Sequence, residues 1–583
     1  MGTKEIGGAR VRVGLVTESG YPYVSGDAGL WCERLVHGLG QHEFDLYALS
    51  RTRQQEDEGW RPLPPQVARV RTAPLWTSDE DRAGYGRRAR RRFAECYGEL
   101  AAALVTASNA QLADPARRTG RDTQADRFAR ALYGLAELAR DEGGLPGALR
   151  SDTAVRALER ACRAPGAQRA ARQARVPDLL AVAAHLERAL RPLSLDWHEE
   201  DGLGAADLCH TAAGGTTALP GLLARHFCDV PLLVTEHGVP LRSHYLASGA
   251  TGAAPAVRAL LAAFHGALAA EVYQRAALVT HGNAHARRWQ ERCGADRARL
   301  RTVHPGMDAA PFTEVGEAPQ TADPDTLVWV GRVEPAKDLV SLLHAFARVH
   351  TALPHARLRI VGSATGPDGA AYLAHCKAVA AQLFPDEATG PHTAGENPVS
   401  FEETGGPEAP TPADAYAAGS VIVLSSVVEG FPLGLVEAML CGRATVSTDV
   451  GAVVEVVGGT GLVVPPRNPR ALAQACATLL ADPERRARLG AAARARALEL
   501  FTVEQNVAAF HGLYLEIVAQ SPVRRVVLDR AGEPLPFAAP AEAHVAGHWT
   551  GAPAATPRAA RGGPAWAATS LAGAAGAGTE AAR

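Results

Sequence analysis

Ser426-Val-Val-Glu-Gly-Phe-Pro-Leu-Gly-Leu-Val-Glu-Ala-Met439 follows directly on the apolar run Val421-Ile-Val-Leu424. A short β-branched run, a loop punctuated by glycine and proline, and apolar residues returning at helical spacing predict a buried strand, a loop and a helix starting near Leu433. Gly430 and Gly434 let the backbone approach a ligand, and a helix start offers unpaired N–H groups and the positive end of a dipole, a combination that suits a diphosphate. Glu429 falls on the loop and Glu437 about a turn into the helix, so the two carboxylates address different parts of one ligand. Glu437 has the capacity to accept from two vicinal ribose hydroxyls. It also reads as a carboxylate that favours the helix dipole.

The same alternation extends outward from this segment. Strands are predicted over 327–330, 356–361, 444–447 and 461–464, with helices over 339–350, 370–383, 433–440 and 469–480. This is the pattern of a doubly wound α/β domain, assigned to 316–500. A second one occupies 1–315. It opens with the strand Val11-Arg-Val-Gly-Leu-Val-Thr17, a loop holding Gly20, Pro22 and Gly26, and a helix over 30–39, and it continues with strands over 207–210, 232–235, 278–280 and 300–303. Between 77 and 193 Ala, Leu and Arg recur at helical spacing, which marks a helical insertion. Its arginine run, Arg87, Arg88, Arg90, Arg91 and Arg92, is read first as a solvated face and second as a grip on phosphate or anionic lipid. A helix within 501–525 is expected to pack back on the N-terminal domain, and the Ala/Gly/Pro-rich stretch 526–583 to be disordered. The fold class is therefore α/β, two Rossmann-like doubly wound domains facing a cleft, with an acidic, proline-containing hinge before Asp325.

Composition narrows the function classes. With 21% charged residues and a formal net charge of -2 over 583 residues, no global field draws the chain to nucleic acid. The nine cysteines are scattered singly, without a C-x-x-C pair, which argues against a disulfide framework or a zinc site and for a reducing compartment. No apolar leader and no run of about 18 apolar residues is apparent, and a cytoplasmic location is expected.

A second motif lies at the end of the strand 327–330: Val330-Gly-Arg-Val-Glu-Pro-Ala-Lys-Asp338. Together with 426–439 it resembles the retaining glycosyltransferases of family 4, which have the two-domain GT-B arrangement. Thr17-Glu-Ser-Gly-Tyr-Pro-Tyr-Val-Ser-Gly-Asp-Ala-Gly-Leu-Trp31, Leu233-Val-Thr-Glu-His-Gly-Val239 and Val303-His-Pro-Gly-Met-Asp308 resemble elements of a narrower group, the PelF-like transferases of exopolysaccharide synthesis. The likeness spans most of 10–520 and weakens through the insertion.

The resemblance implies a hexosyltransferase that moves sugar from a nucleotide-diphosphate donor, a UDP-sugar by preference, to a glycan or other hydroxyl acceptor with retention. It implies neither cofactor nor metal, the nucleotide sugar being a co-substrate. A membrane-associated polysaccharide synthase is a partner suggested by that group and not by the residues themselves. The donor-binding set carried over is Gly26, Gly331, Arg332, Lys337, Glu429, Gly430, Phe431, Pro432, Leu433, Gly434, Leu435 and Glu437, and the catalytic set Glu429, His237, Arg332 and Lys337. Two cations beside a pyrophosphate stabilise it as a leaving group without a metal. His237 is expected to contact the donor sugar. Glu18, His210 and Asn283 are further strand-end candidates, each equally readable as structural.

Three departures stand out. Asp27 replaces a glycine and brings a carboxylate that repels a diphosphate unless turned away. The base-binding segment is the acidic Val399-Ser-Phe-Glu-Glu-Thr-Gly-Gly-Pro, and Val450-Gly-Ala-Val-Val-Glu455 keeps one glycine where relatives have two. An oxidoreductase is disfavoured because no G-x-G-x-x-G follows the first strand. A catalytically weak nucleotide-sugar-binding subunit of a polysaccharide assembly is the alternative.

Overall fold

The computed structural model describes residues 10–521 apart from 24–25, 77–83, 107–123, 200, 251, 318–321 and 386–396, and within helices it leaves out the side chains of 26–28 and 248–250. The tail expected over 526–583 lies outside the described residues. The rest divides into two compact units: the described residues up to His281, Ala286–Val303 and those from Val507 form the first, while Gly282–His285 and His304–Asn506 form the second.

Unit 1 is built on seven parallel strands, β1 (Arg12–Glu18), β2 (Glu43–Ser50), β3 (Val67–Pro74), β4 (Leu208–Thr211), β5 (Leu232–Glu236), β6 (Leu278–His281) and β7 (Leu300–Thr302), in the order β3-β2-β1-β4-β5-β6-β7. Central strands covered on both faces become continuous apolar runs, as β1 and β5 are. The sequence reading passed over β2 and β3 because polar residues interrupt them. Asp45 is buried in β2, where the Arg12 guanidinium meets it at 2.6 Å. Edge strand β3 places Arg69 and Arg71 among its apolar residues and ends on Pro74, which an edge tolerates.

The helical insertion contributes Arg87–Thr106, Gln124–Glu142, Asp152–Arg163 and Val176–Leu190. It has no separate core: Phe93, Leu100, Phe128, Leu132, Leu158 and Leu186 bury into one cluster with Val16 and Tyr47 of the sheet. Helix Pro255–Arg275 is long and apolar enough to cross a membrane, which corrects the expectation that no such stretch exists. Alanines and glycine let it pack closely, and Leu260, Phe264, Leu268 and Val272 are each 1% exposed or less in the same core. The last described segment forms two helices, Pro483–Leu500 and Val503–Gln520. Phe510, Tyr514 and Ile517 of the second bury with Val13, Leu15, Trp31 and Leu35 on the other face of the unit 1 sheet.

Unit 2 has six parallel strands, β8 (Asp323–Arg332), β9 (Arg357–Ser363), β10 (Val399–Glu402), β11 (Gly419–Leu424), β12 (Ala444–Thr448) and β13 (Leu462–Val464), ordered β10-β9-β8-β11-β12-β13. Strand β8 begins earlier than expected and takes in the acidic stretch read as a hinge. The residues just before it, Ala310–Glu317, form a helix that buries Phe312. In both sheets the strand order reverses once, between β1 and β4 and between β8 and β11. Such switch points open a crevice at the carboxyl ends of the strands, where doubly wound sheets bind ligands.

Candidate donor site at the β8 and β11 strand ends

The loop after β8 carries Arg332 and Lys337, and the loop after β11 carries the 426–434 segment, so the switch point of unit 2 brings the two motifs together. Lys337 Nζ donates to Glu429 Oε1 at 2.5 Å, with side chains only 16% and 10% exposed. Ser426 Oγ donates to the same carboxylate oxygen at 2.7 Å. The two loops are also joined through backbone: Val427 N donates to Ala336 O at 2.8 Å, and Ser425 Oγ donates to Lys337 O at 2.7 Å. Thr448 Oγ1 at the end of β12 donates to Ser426 O at 2.6 Å.

After Lys337 the chain turns through Asp338 at φ +48, a conformation a non-glycine residue rarely holds. Its carboxylate accepts from Ser341 N and caps helix Leu339–Ala352. Strain of this kind costs about 1–3 kcal/mol and persists where surrounding structure fixes it, often at functional sites. The corresponding loop after β1 holds Ser19 at φ +57.

Arg332 is exposed at the end of β8, and no ion pair reaches it among the described residues. Gly331 precedes it over the Trp329 ring, 3.3 Å from where a Cβ would stand. Helix Leu433–Leu440 starts after Pro432. The amides of Leu435 and Val436 are bonded to Pro432 O, whereas the Gly434 amide finds no backbone acceptor among the described residues. Around Gly430 there is open space for an added Cβ. Glu437 is half-buried, and its Oε2 accepts from Tyr416 Oη at 2.7 Å.

Not every residue of the donor set faces a ligand. Phe431 packs against Phe501 and His304, with ring centroids 5.7 and 6.1 Å away. Pro432 and Leu435 are buried. Gly26 begins helix Gly26–Gly38, and the side chain of Asp27, on which the expected repulsion turns, lies outside the described residues. The acidic segment from Val399 is partly neutralised at the end of β10, where Arg359 pairs with Glu402 at 2.5 Å. Burial alone would raise the Glu402 pKa, but hydrogen bonds from Arg359 and Ser400 hold it below the usual carboxylate range.

In unit 1, His237 follows β5 and lies edge-on to Trp31, ring centroids 4.9 Å apart. His210 sits within β4 rather than past its end. It is fully buried, with Nδ1 bonded to Tyr514 Oη and Nε2 to Thr235 Oγ1, and burial pushes its pKa down to about 3. That is a structural imidazole. Glu18 accepts from Thr217 Oγ1, and Asn283, in the Gly282–His285 segment that belongs to unit 2, is buried.

The sequence reading missed Ser425, Thr448 and Tyr416, and noted Gly451 only as the glycine kept in its motif. Gly451, at φ +57, leaves a Cβ only 2.5 Å from Glu429 O, so the glycine retained at 450–455 is what lets that turn close on the Glu429 loop. Nothing local in the sequence singles out Thr448 or Tyr416.

Two doubly wound parallel α/β units, the second with cations and carboxylates gathered at its switch point, define a protein of the GT-B fold class. Residues 324–482, within unit 2, match the family model described as glycosyl transferases group 1. Residues 11–298 match a model described as a domain of unknown function (DUF3492). Among curated proteins, a D-inositol 3-phosphate glycosyltransferase of Kineococcus radiotolerans is 33% identical over 248 residues, 38% of this chain and 52% of that protein. One from Streptomyces bingchenggensis is 32% identical over 235 residues, covering 38% and 49%. The chain thus spans about half the length of these relatives. The structure of sucrose-phosphate synthase from Thermosynechococcus elongatus aligns over 88% of this chain and 100% of its own at 18% identity, TM-score 0.51, a likeness of fold.

Proposed function

We propose that this protein is a retaining, metal-independent hexosyltransferase of the family 4 type, taking sugar from a nucleotide-diphosphate donor, with UDP-sugars tested first. The observation that carries the reading is the Lys337–Glu429 pair on adjacent strand-end loops at the unit 2 switch point, with Arg332 exposed at the end of β8. A diphosphate arriving there competes for Lys337 and releases Glu429 to the hydroxyls of the transferred sugar. Binding of the leaving group and orientation of the sugar are thereby coupled.

In the proposed step the acceptor hydroxyl attacks the anomeric carbon on the face the nucleotide leaves. The bond from carbon to the diphosphate oxygen breaks with its electron pair going to the nucleoside diphosphate, and the acceptor proton passes to that departing oxygen. Arg332, Lys337 and the amide end of helix Leu433–Leu440 stabilise the charge that develops. His237 enters through the resemblance alone, as a contact for the donor sugar. A glycan of exopolysaccharide synthesis, as in the PelF-like group, and a phosphorylated polyol, as the names of the curated relatives suggest, are the two acceptor classes to compare.

The test is a thermal-shift screen of nucleoside diphosphates and their sugars, followed by transfer assays with the donor that binds. A ligand that binds only the folded state raises the melting temperature. Arg332→Ala and Glu429→Ala are each expected to lower kcat/KM by about 100-fold or more, in the range seen when a transition-state donor is removed. Undiminished transfer by either variant would sink the assignment. Tight donor binding with neither transfer nor hydrolysis would favour the nucleotide-sugar-binding subunit.

A further inference from the structure

Tyr416 lies on the short helix Pro412–Ala417, 1% exposed, away from the sequence motifs of the donor site. Its hydroxyl reaches out of that core to a single place, where it donates to Glu437 Oε2 at 2.7 Å and stands 3.2 Å from where a Cβ on Gly434 would be. The ring is held by Phe312, centroids 6.2 Å apart, and its backbone carbonyl accepts from the buried Arg443 Nε at 3.0 Å. Burial, reinforced by the Glu437 carboxylate, pushes the phenol pKa well above its ordinary value, so the hydroxyl is a donor at every working pH. Glycine at 434 leaves room for this contact on the first turn of the donor helix.

A carboxylate accepts up to about four hydrogen bonds, and one that must bind two adjacent hydroxyls has to be held in one plane. We propose that Tyr416 is the positioning residue that orients Glu437 toward the paired hydroxyls of the donor ribose. The inference rests on Glu437 binding the nucleotide of the proposed donor, and Tyr416 touches no substrate atom itself. Its contribution is directional: with the tyrosine hydroxyl on Oε2, the carboxylate rotor is fixed before the nucleotide arrives, and less order is lost on binding.

The experiment is calorimetric titration of the full chain with UDP, GDP and ADP, each against its 2′,3′-dideoxy analogue. Wild type is expected to prefer one nucleoside diphosphate over its dideoxy analogue by about 10-fold or more, a bidentate hydrogen bond to a charged group being worth that much. Tyr416→Phe should reduce that preference to about 3-fold or less while leaving affinity for the dideoxy analogue unchanged, and in turnover it should raise donor KM with little change in kcat. Glu437→Asp keeps the charge but draws the carboxylate away from the tyrosine hydroxyl, and the same selective loss is expected. If Tyr416→Phe retains the full preference, whatever Glu437→Asp does, or if Tyr416→Phe weakens both nucleotides equally, Tyr416 is only a core residue and the proposal is overturned. If wild type binds no nucleoside diphosphate, the donor site itself is refuted, and the inference with it.

Discussion

At Gly451 two constraints meet in one residue. The backbone takes φ +57, and a Cβ would stand 2.5 Å from Glu429 O and 2.7 Å from Gly430 O, both backbone atoms that cannot rotate away. Gly459, at φ +87, has nothing near it. The two glycines separate backbone strain from displacement of the donor loop. Gly459→Ala should cost about 1 kcal/mol through φ alone and leave donor KM unchanged. Gly451→Ala should cost about 2–4 kcal/mol and raise donor KM by an order of magnitude, because Glu429 and Gly430 must move. Denaturant melts and donor saturation curves read the two effects separately. The Lys337–Glu429 pair shows the same dependence on placement. In the sequence each charge is an ordinary surface residue. In the fold they share one nearly buried contact, and removing a partner from such a pair typically costs about 3–5 kcal/mol.

At the scale of elements, helix Val503–Gln520 buries its apolar residues against the unit 1 sheet. Its apolar residues Phe510, Leu513, Tyr514, Ile517 and Val518 complete the core that holds Val11 and, in β1, Val13 and Leu15, with Trp31 and Leu35. Phe510 also stacks on His210 and lies edge-on to Trp31, centroids 5.4 Å away in each case. Phe510→Ala should therefore destabilise unit 1 by about 3–5 kcal/mol, the cost of a large cavity at a site that cannot collapse. Differential scanning calorimetry should show the lower transition, and a loss under 1 kcal/mol would mean that the helix does not complete that core. The sequence reading placed a helix within 501–525, and the structure starts it at Val503 after a break at Phe501 and Thr502 that contains neither glycine nor proline.

For the whole molecule, buried titratable groups set the response to pH. Burial pushes His42 and His185 down to about 4 and His210 and His265 down to about 3. Each imidazole is kept neutral in the fold, so its contribution is present above the ordinary pKa near 6.5 and is lost as pH falls through the folded value. Glu236 runs the other way. Burial under Gly214 raises it to about 7, with Tyr273 and Gln290 hydrogen bonds opposing, and its contribution is full below about 4.5 and lost as pH rises through about 7. Four histidines outweigh one carboxyl, so stability should decline as pH falls from 6.5 to 4. Glu236→Gln isolates the opposing component. Its melting temperature relative to wild type should be higher at pH 8 than at pH 5, by an amount corresponding to no more than about 3 kcal/mol. A pH-independent difference would show that Glu236 is not protonated in the fold near neutrality.

Sequence alone determined the alternation of strand and helix, the two doubly wound domains, the helical insertion, and the motifs 330–338 and 426–439, because period and glycine placement are local properties. It missed β2 and β3, whose apolar runs are broken by Asp45, Arg69 and Arg71, since Arg12, which neutralises Asp45, lies on another strand. Only the tertiary structure decided that Lys337 meets Glu429, that Tyr416 holds Glu437, that Gly451 closes on the Glu429 loop, and that His210 is structural. Each of those facts depends on strand order, and strand order places residues that are distant along the chain at the same carboxyl end of a sheet.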